Sequence, residues 1–499
     1  MTLVLGIDAG TTGVTALLVD GGGAVAAKGY REFPQSFPRP GWVEHDPDDW
    51  WTALQAACEE ALSRGGVEAA ALAAIGITNQ RETTVLWERE TLRPVHPAIV
   101  WQDRRTAPLC DELREEGLEP HVRDRTGLVI DPYFSGTKVH WLLDHVEGAR
   151  EAAEGGSIAF GTTDSYVLAR LTGGAIHATD HTNASRTLLY DIHALDWDER
   201  LLERLGVPRG VLPEVLPSCG RFGVTDPAAF FGAEVPIAGI AGDQQAALFG
   251  QACFEAGTGK NTYGTGSFVL MHTGTTAPAS AAGLITTIAA TTAGEVPFAL
   301  EGSIFVTGSA VQWLRDGLGI IRDSAEVETL ARQVADSGGV VFVPALTGLG
   351  APHWDPYARG TIVGITRGTT AAHLARATLE AIAFQTRDVV DAMRDDAGIE
   401  FTELKADGGA SVDDLLMQLQ ADALGIPVRR PKVLETTALG AAYLAGLGTG
   451  VWAGRDEVSS HWQLDREFEP AGDAGVDDRY ARWKEAVARS RDWARDAGD

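Results

Sequence analysis

The opening stretch, LVLGIDAGTTGVTALLVD (residues 3–20), sets the terms for the whole chain. Leu3–Ile7 and Val14–Val19 are apolar runs with the β-branched and aliphatic content of buried strands. Between them lies Asp8-Ala9-Gly10-Thr11-Thr12-Gly13, a turn whose glycines let the backbone come close to a ligand. Successive backbone N–H groups in such a turn form a concave anion site, to which Thr11 and Thr12 add hydroxyl donors. Asp8 stands at the mouth of the first strand, where a carboxylate beside bound phosphate needs a cation, most simply Mg2+. An ordinary tight hairpin has the same local composition. A second copy argues against that reading: Asn261-Thr262-Tyr263-Gly264-Thr265-Gly266-Ser267 again leads through a Gly-Thr-Gly turn into an apolar strand. Two such turns, one per half, predict two similar α/β domains that hold a nucleotide between them.

The chain has room for this arrangement, since 499 residues suffice for two or three domains with their own cores. Lys+Arg 41 against Asp+Glu 69 gives a formal charge of −28, which argues against nucleic acid or an anionic membrane as partner. Cys58, Cys110, Cys219 and Cys253 form no CxxC pair and fit reduced thiols of a cytoplasmic protein. The start MTLVLGID lacks a basic n-region, so no signal peptide is expected. No run approaches about 20 uninterrupted apolar residues, so no membrane span is expected either.

Strand ends are where open α/β sheets place ligands. The strand Ile75–Thr78 leads into Asn79-Gln80-Arg81-Glu82, and a second short strand ends at Trp101. A helix is predicted over 48–63 with Asp46 as its cap and Pro47 at its first position. Residues 126–138 read as a loop carrying Tyr133, 179–186 as a polar turn facing the cleft, and 208–236 as irregular. In IAGIAGDQQAALFGQ (237–251) an apolar strand ends at Gly242 and a helix follows, which puts Asp243 at a strand end and a helix start. A simple N-cap is the commonest role of Asp there. GTGK (257–260) lacks both the first glycine and the final Ser or Thr of a Walker loop. The Gly408-Gly409-Ala410 junction between a strand and a helix brings bare backbone against a flat ligand. A small-residue helix is predicted over 436–447 and an amphipathic one over Asp477–Asp496.

Phosphoryl transfer asks little covalent chemistry of a protein: phosphate donors, a metal, and a carboxylate to take the acceptor's proton. Asp243 fits the last role. Arg81, Glu82 and Asp243 suit paired hydrogen bonds to vicinal hydroxyls, with Trp101 and Phe268 covering the carbon face. That set describes a small polyol as acceptor.

The blocks GITNQRETT (76–84), RTGLVIDPYFSGTK (125–138), TNASRT (182–187), GIAGDQQAALFGQ (239–251), KNTYGTG (260–266), TGLGAPHWDPYARG (347–360) and ALGAAYLAG (438–446) closely resemble the FGGY family of carbohydrate kinases. The resemblance spans nearly all of residues 2–455. It implies two actin/hexokinase-like (ribonuclease H-like) domains, 1–250 and 251–499, with ATP and substrate in the cleft between them. It further implies glycerol as acceptor and a homodimer or homotetramer. Arg81, Glu82, Tyr133, Asp243 and Gln244 would contact glycerol. Thr11, Thr12, Gly13, Thr265, Gly308, Gln312 and Gly409 would contact the nucleotide, and Asp8 with Asp243 would serve Mg2+. Gly13, Thr15 and Asp413 stand where members often carry Ser, Arg and Asn. Asp413 belongs to the nucleotide set but cannot donate as an amide does. The stretch DPAAFFGAEV (226–235) lacks the Gly/Arg-rich loop and the histidine through which some members are regulated, so neither regulation is expected there.

Overall fold

The structure, a computed structural model, describes residues 2–292, 294–472 and 475–495, and each phosphate turn heads a sheet of the same topology. In the first half Leu3–Ala9, Gly13–Asp20 and Val25–Glu32 form an antiparallel meander. Leu72–Asn79 and then Pro236–Gly242 add in parallel on the other side of Leu3–Ala9, and Cys219–Val224 closes the edge. In the second half Thr258–Tyr263, Ser267–Gly274 and Phe298–Ile304 form the meander. Glu403–Asp407 and Val428–Pro431 add in parallel, with Ile285–Ile288 and Leu464–Phe468 at the two edges.

Side chains alternate across a strand, so each sheet needs cover on both faces. Leu3, Leu5 and Ile7 point to a face buried by Trp50, Leu54, Ala57, Ala61 and Leu62 of the helix Pro47–Gly65. Asp46 caps that helix, its side chain accepting from the N–H of Asp48. Val4, Leu17, Val19, Ala74 and Ala238 point the other way, and their cover comes from the far end of the chain, the helix Thr436–Gly448. This helix approaches so closely that a Cβ on Gly6 would lie 2.1 Å from the carbonyl oxygen of Ala438, and one on Gly76 1.9 Å from that of Ala441. It also crosses the helix Asp243–Gly250 backbone to backbone, with Gly440 against the Ala246 carbonyl. The small residues of 436–447 are thus explained by contact with the opposite lobe. Helix Asp243–Gly250 in turn reaches the second sheet, where Leu248 packs with Leu270 and Ala299. The lobes are joined by exchanged helices.

Several local expectations are corrected. Residues 126–138 are not a continuous loop, since Ser135 starts the helix Ser135–His145. The polar stretch 179–186 is a buried strand end and helical turn, His181–Ala184, because the Asp180 carboxylate accepts from the N–H groups of Thr182 and Asn183. The segment 208–236 contains the strands Glu214–Leu216 and Cys219–Val224. The C-terminal helix is Val476–Ser490, and the expected end at Asp496 lies outside the described residues. Among the described residues no helix is long and apolar enough to cross a membrane.

Candidate active site

Strand register brings the acceptor residues together. Gly242 pairs with Asn79 in parallel neighbours, so the chains that leave both strand ends, Asn79–Glu82 and Asp243–Gln244, emerge side by side. Arg81 is 2% exposed, and both its Nη atoms are engaged. Its Nη1 donates to Glu301 Oε2 (2.5 Å) and Gln245 Oε1 (3.2 Å). Its Nη2 donates to Glu301 Oε1 (2.9 Å) and the Tyr133 hydroxyl (3.3 Å). The remaining N–H, on Nε, makes no hydrogen bond among the described residues, although it lies 3.1 Å from Asp243 Oδ1. Glu82 is held by Arg186, whose Nε donates to Oε1 at 2.7 Å while Nη2 reaches Glu301 Oε1 at 2.9 Å. Buried charges persist only when paired in this way. Burial alone would raise the Glu301 carboxyl, but Arg186 and Arg81 overcome it and pull it down to about 2.

Asp243 is the first residue of its helix, and Gly242 occupies the cap position. Its Oδ1 accepts from the N–H of Gln244 (2.7 Å), and its side chain keeps 27% of its surface open. It is therefore not a plain N-cap. Burial raises its pKa, Arg81 opposes this, and the nearby Glu82 carboxylate adds to it. A carboxylate so placed is a better proton acceptor than a solvated one. The apolar wall comes from both lobes: Trp101 meets Tyr133 edge-on at 5.6 Å and Phe268 at 6.4 Å between ring centroids.

The first phosphate turn touches this wall. Trp101 Nε1 donates to Thr11 Oγ1 at 2.9 Å, while the Gly10 N–H closes the turn on the Gly13 carbonyl at 3.0 Å. A Cβ on Gly13 would fall 2.6 Å from the Arg31 carbonyl oxygen and 2.8 Å from the Tyr30 hydroxyl, so a serine has no room there. Asp8 Oδ1 is buried without a hydrogen-bond partner among the described residues. Burial first, and Asp243 second, push the Asp8 carboxyl up to about 7.

The second turn borders a cavity of about 480 Å³ that gathers Thr265, Gly308, Gln312, Gly409 and Asp413. The turn is buttressed from behind: the Gly308 N–H donates to the Gly264 carbonyl and the Ser309 N–H to that of Thr265. A cavity of this size, walled by glycine backbone and by Val311, Leu379 and Leu416, suits a nucleoside. Thr11, Thr12 and Gly13 do not line it; they belong to the opposite lobe's turn.

Asp413 caps the helix Asp414–Leu424 by accepting from the N–H of Leu416 (2.9 Å), while its Oδ2 is buried and has no partner among the described residues. Burial pushes its pKa up to about 6. The native chain then holds this proton more tightly than the unfolded chain. The stabilisation is present below about pH 4 and is lost as pH rises through about 6. Asparagine keeps the cap without the charge. Asp413→Asn is expected to be more stable than the parent at pH 8 by about 1–2 kcal/mol and equal to it at pH 4. Thermal melts at both pH values check this, and a difference independent of pH would exclude it.

Three residues central to the site were not singled out from the sequence: Glu301, Arg186 and Lys260. Lys260 Nζ donates to Gln244 Oε1, to Thr262 Oγ1 (2.8 Å) and to the Phe268 carbonyl (3.2 Å). A charged residue inside an apolar strand, such as Glu301 in FALEGSI, is the one local signal that marks such ions.

The models of the FGGY family of carbohydrate kinases match this chain twice, the N-terminal domain over residues 3–250 and the C-terminal domain over 259–449. The chain is 58% identical to glycerol kinase 2 of Thermotoga maritima over 99% of both chains. It is also 58% identical to the glycerol kinase of Deinococcus radiodurans, over 99% of this chain and 98% of that one. Among solved structures it is similar to Plasmodium falciparum glycerol kinase with ADP, at 36% identity and a TM-score of 0.92 over 98% of each chain. The xylulose kinase of Rhodospirillum rubrum follows at 26% identity and a TM-score of 0.85, again over 98% of each. With both domain models matched in order and a site assembled from their conjoined strand ends, the chain belongs to the FGGY family of carbohydrate kinases.

Proposed function

We propose that this chain is an ATP:glycerol 3-phosphotransferase that converts glycerol and ATP to sn-glycerol 3-phosphate and ADP, as a step of glycerol catabolism. The observation that carries the reading is Asp243, a cleft-facing carboxylate with a raised pKa beside Arg81, Glu82 and Gln244. The 58% identity to glycerol kinases over nearly the full chain supports glycerol over other polyols.

In this reading Arg81 Nε–H and the Tyr133 O–H donate to hydroxyls of the acceptor, and Glu82 and Asp243 accept from them. Trp101 and Phe268 cover its carbon face and exclude water. Asp243 takes the proton of the primary hydroxyl as its oxygen bonds to the γ-phosphorus and the bond to the β-phosphate oxygen breaks. Thr11, Thr12, Gly13 and Thr265 donate to phosphate oxygens. Gly308, Gln312, Gly409 and Asp413 line the nucleoside. The buried Asp8 Oδ1, unpartnered among the described residues, and the charge of Asp243 acting on it fit a divalent cation. Mg2+ is held by one or two carboxylates plus substrate phosphates, without a protein cage. This agrees with the described residues, which include no cluster of three or more His, Cys, Asp or Glu ligands. When bound, Mg2+ would neutralise charge on the transferring phosphates.

The test is a coupled assay of ADP release with and without glycerol, followed by kcat/KM on glycerol, xylulose and gluconate. Glycerol-dependent turnover with glycerol as the best acceptor is expected. ATP hydrolysis indifferent to glycerol, or a clear preference for xylulose, would overturn the reading.

A further inference from the structure

The acceptor side chains Arg81 and Gln244 belong to the first lobe, but the groups that orient them belong to the second. Glu301 lies on the strand Phe298–Ile304 and Lys260 on Thr258–Tyr263, both in the second sheet. Both are fully buried. Glu301 accepts from both Nη atoms of Arg81, and Gln245 and Tyr133 take the other two Nη hydrogens. Of the five N–H groups on a guanidinium, this leaves Nε, which is buried 3.1 Å from Asp243 Oδ1 and 3.5 Å from Glu82 Oε1. An ammonium has no acceptor, so Lys260 can bind only the oxygen of the Gln244 amide. The Gln244 NH2 is thereby turned away from Lys260.

We propose that Glu301 and Lys260 are positioning residues that set, from the opposite lobe, the hydrogen-bond polarity of the acceptor pocket: they leave Arg81 Nε–H as a donor beside the carboxylates of Asp243 and Glu82, and they turn the Gln244 amide NH2, a second donor, away from Lys260. This rests on the reading of the pocket as a polyol site. A pocket with donors fixed beside acceptors matches a vicinal diol, in which each hydroxyl gives one hydrogen bond and takes another. Without Glu301 the Arg81 fork is free to turn onto the Asp243 carboxylate and close the site with a bidentate ion pair. Without Lys260 the Gln244 amide can flip and present its oxygen, leaving a hydroxyl lone pair unmatched.

The experiment measures KM for glycerol and for ATP separately in Glu301→Gln and Lys260→Met, with Arg81→Met and the double variant Arg81→Met/Glu301→Gln. Loss of a hydrogen bond to a charged group is worth about tenfold or more. The KM for glycerol is therefore expected to rise by about that factor in Glu301→Gln, with the KM for ATP within about twofold. Because Glu301 acts through Arg81 and, by way of Arg186, on Glu82, the double variant is expected to lose less than the sum of the two single losses. A residue needed only for packing would lower the yield and the Tm but leave the two KM values in proportion. If Glu301→Gln does not fold, Lys260→Met carries the test, with the same selective rise expected. An active wild type whose folded variants keep the parental KM for glycerol, or a double variant with additive losses, would overturn the positioning role. A wild type inert on glycerol would overturn the polyol reading and this proposal with it.

Discussion

Asp243→Asn is expected to lower kcat by about 10²–10⁴-fold, the usual worth of a positioned general base, while the KM for ATP stays close to the parental value. The amide is isosteric, and Oδ1 can still accept from the Gln244 N–H, so the helix start survives. What disappears is the proton acceptor beside Arg81 Nε. In the proposed reading, donor binding depends on the glycine-walled cavity of the other lobe, whose lining does not include Asp243. Steady-state kinetics over pH 6–9 would check this. Turnover within about threefold of the parent would remove Asp243 from the role of base.

The second large effect is expected far from any ligand. In Gly440→Val, a branched side chain is forced to where a Cβ would already sit 1.8 Å from the Ala246 carbonyl oxygen. Helix propensity alone favours replacing an interior glycine, by up to about 1 kcal/mol for alanine, so the sign is set by the steric clash. Overpacking of this kind costs about 1–3 kcal/mol or more. Relief requires the helix Asp243–Gly250 to move, and this helix begins with Asp243, the proposed base. A displacement of about 1 Å at a reacting group costs roughly 10²-fold in rate. A lower Tm together with a kcat reduced by about that factor is therefore expected. A valine variant with the parental Tm and kcat would show that the two helices do not fix the base.

The parts of this architecture that were legible in the sequence are those with local causes. The two glycine turns, the strand–Asp243–helix junction and the Asp46-Pro47 helix start each follow from residues within a few positions of one another. Tyr133 joined the expected site by resemblance only, since a phenol in a loop more often packs. In the structure it is 8% exposed and its hydroxyl accepts from Arg81 Nη2. What stayed hidden has non-local causes. Glu301 meets Arg186 across 115 residues and Arg81 across 220, and nothing in its neighbours announces either partner. Locally Lys260 only resembles part of an incomplete Walker loop, whereas its contact with Gln244 is made across the lobes, to a helix that follows a strand of the first sheet. The stretch 179–186 was misread because polar composition suggests solvent, while here Asp180, Thr182 and Asn183 satisfy one another inside the protein.

The exchanged helix has a consequence for how the polypeptide is made. Once Gly250 has left the ribosome, the first sheet has all its strands, yet Val4, Leu17, Val19 and Ala74 still face outward. Their cover, Thr436–Gly448, follows after roughly 200 more residues, about 10–40 s of translation at ordinary rates. During that interval a nascent chain carries a sticky, glycine-grooved face, which makes chaperone capture rather than autonomous folding its natural fate. Expressed as a fragment, the first half alone should precipitate, and a synthetic peptide of the missing helix should rescue it.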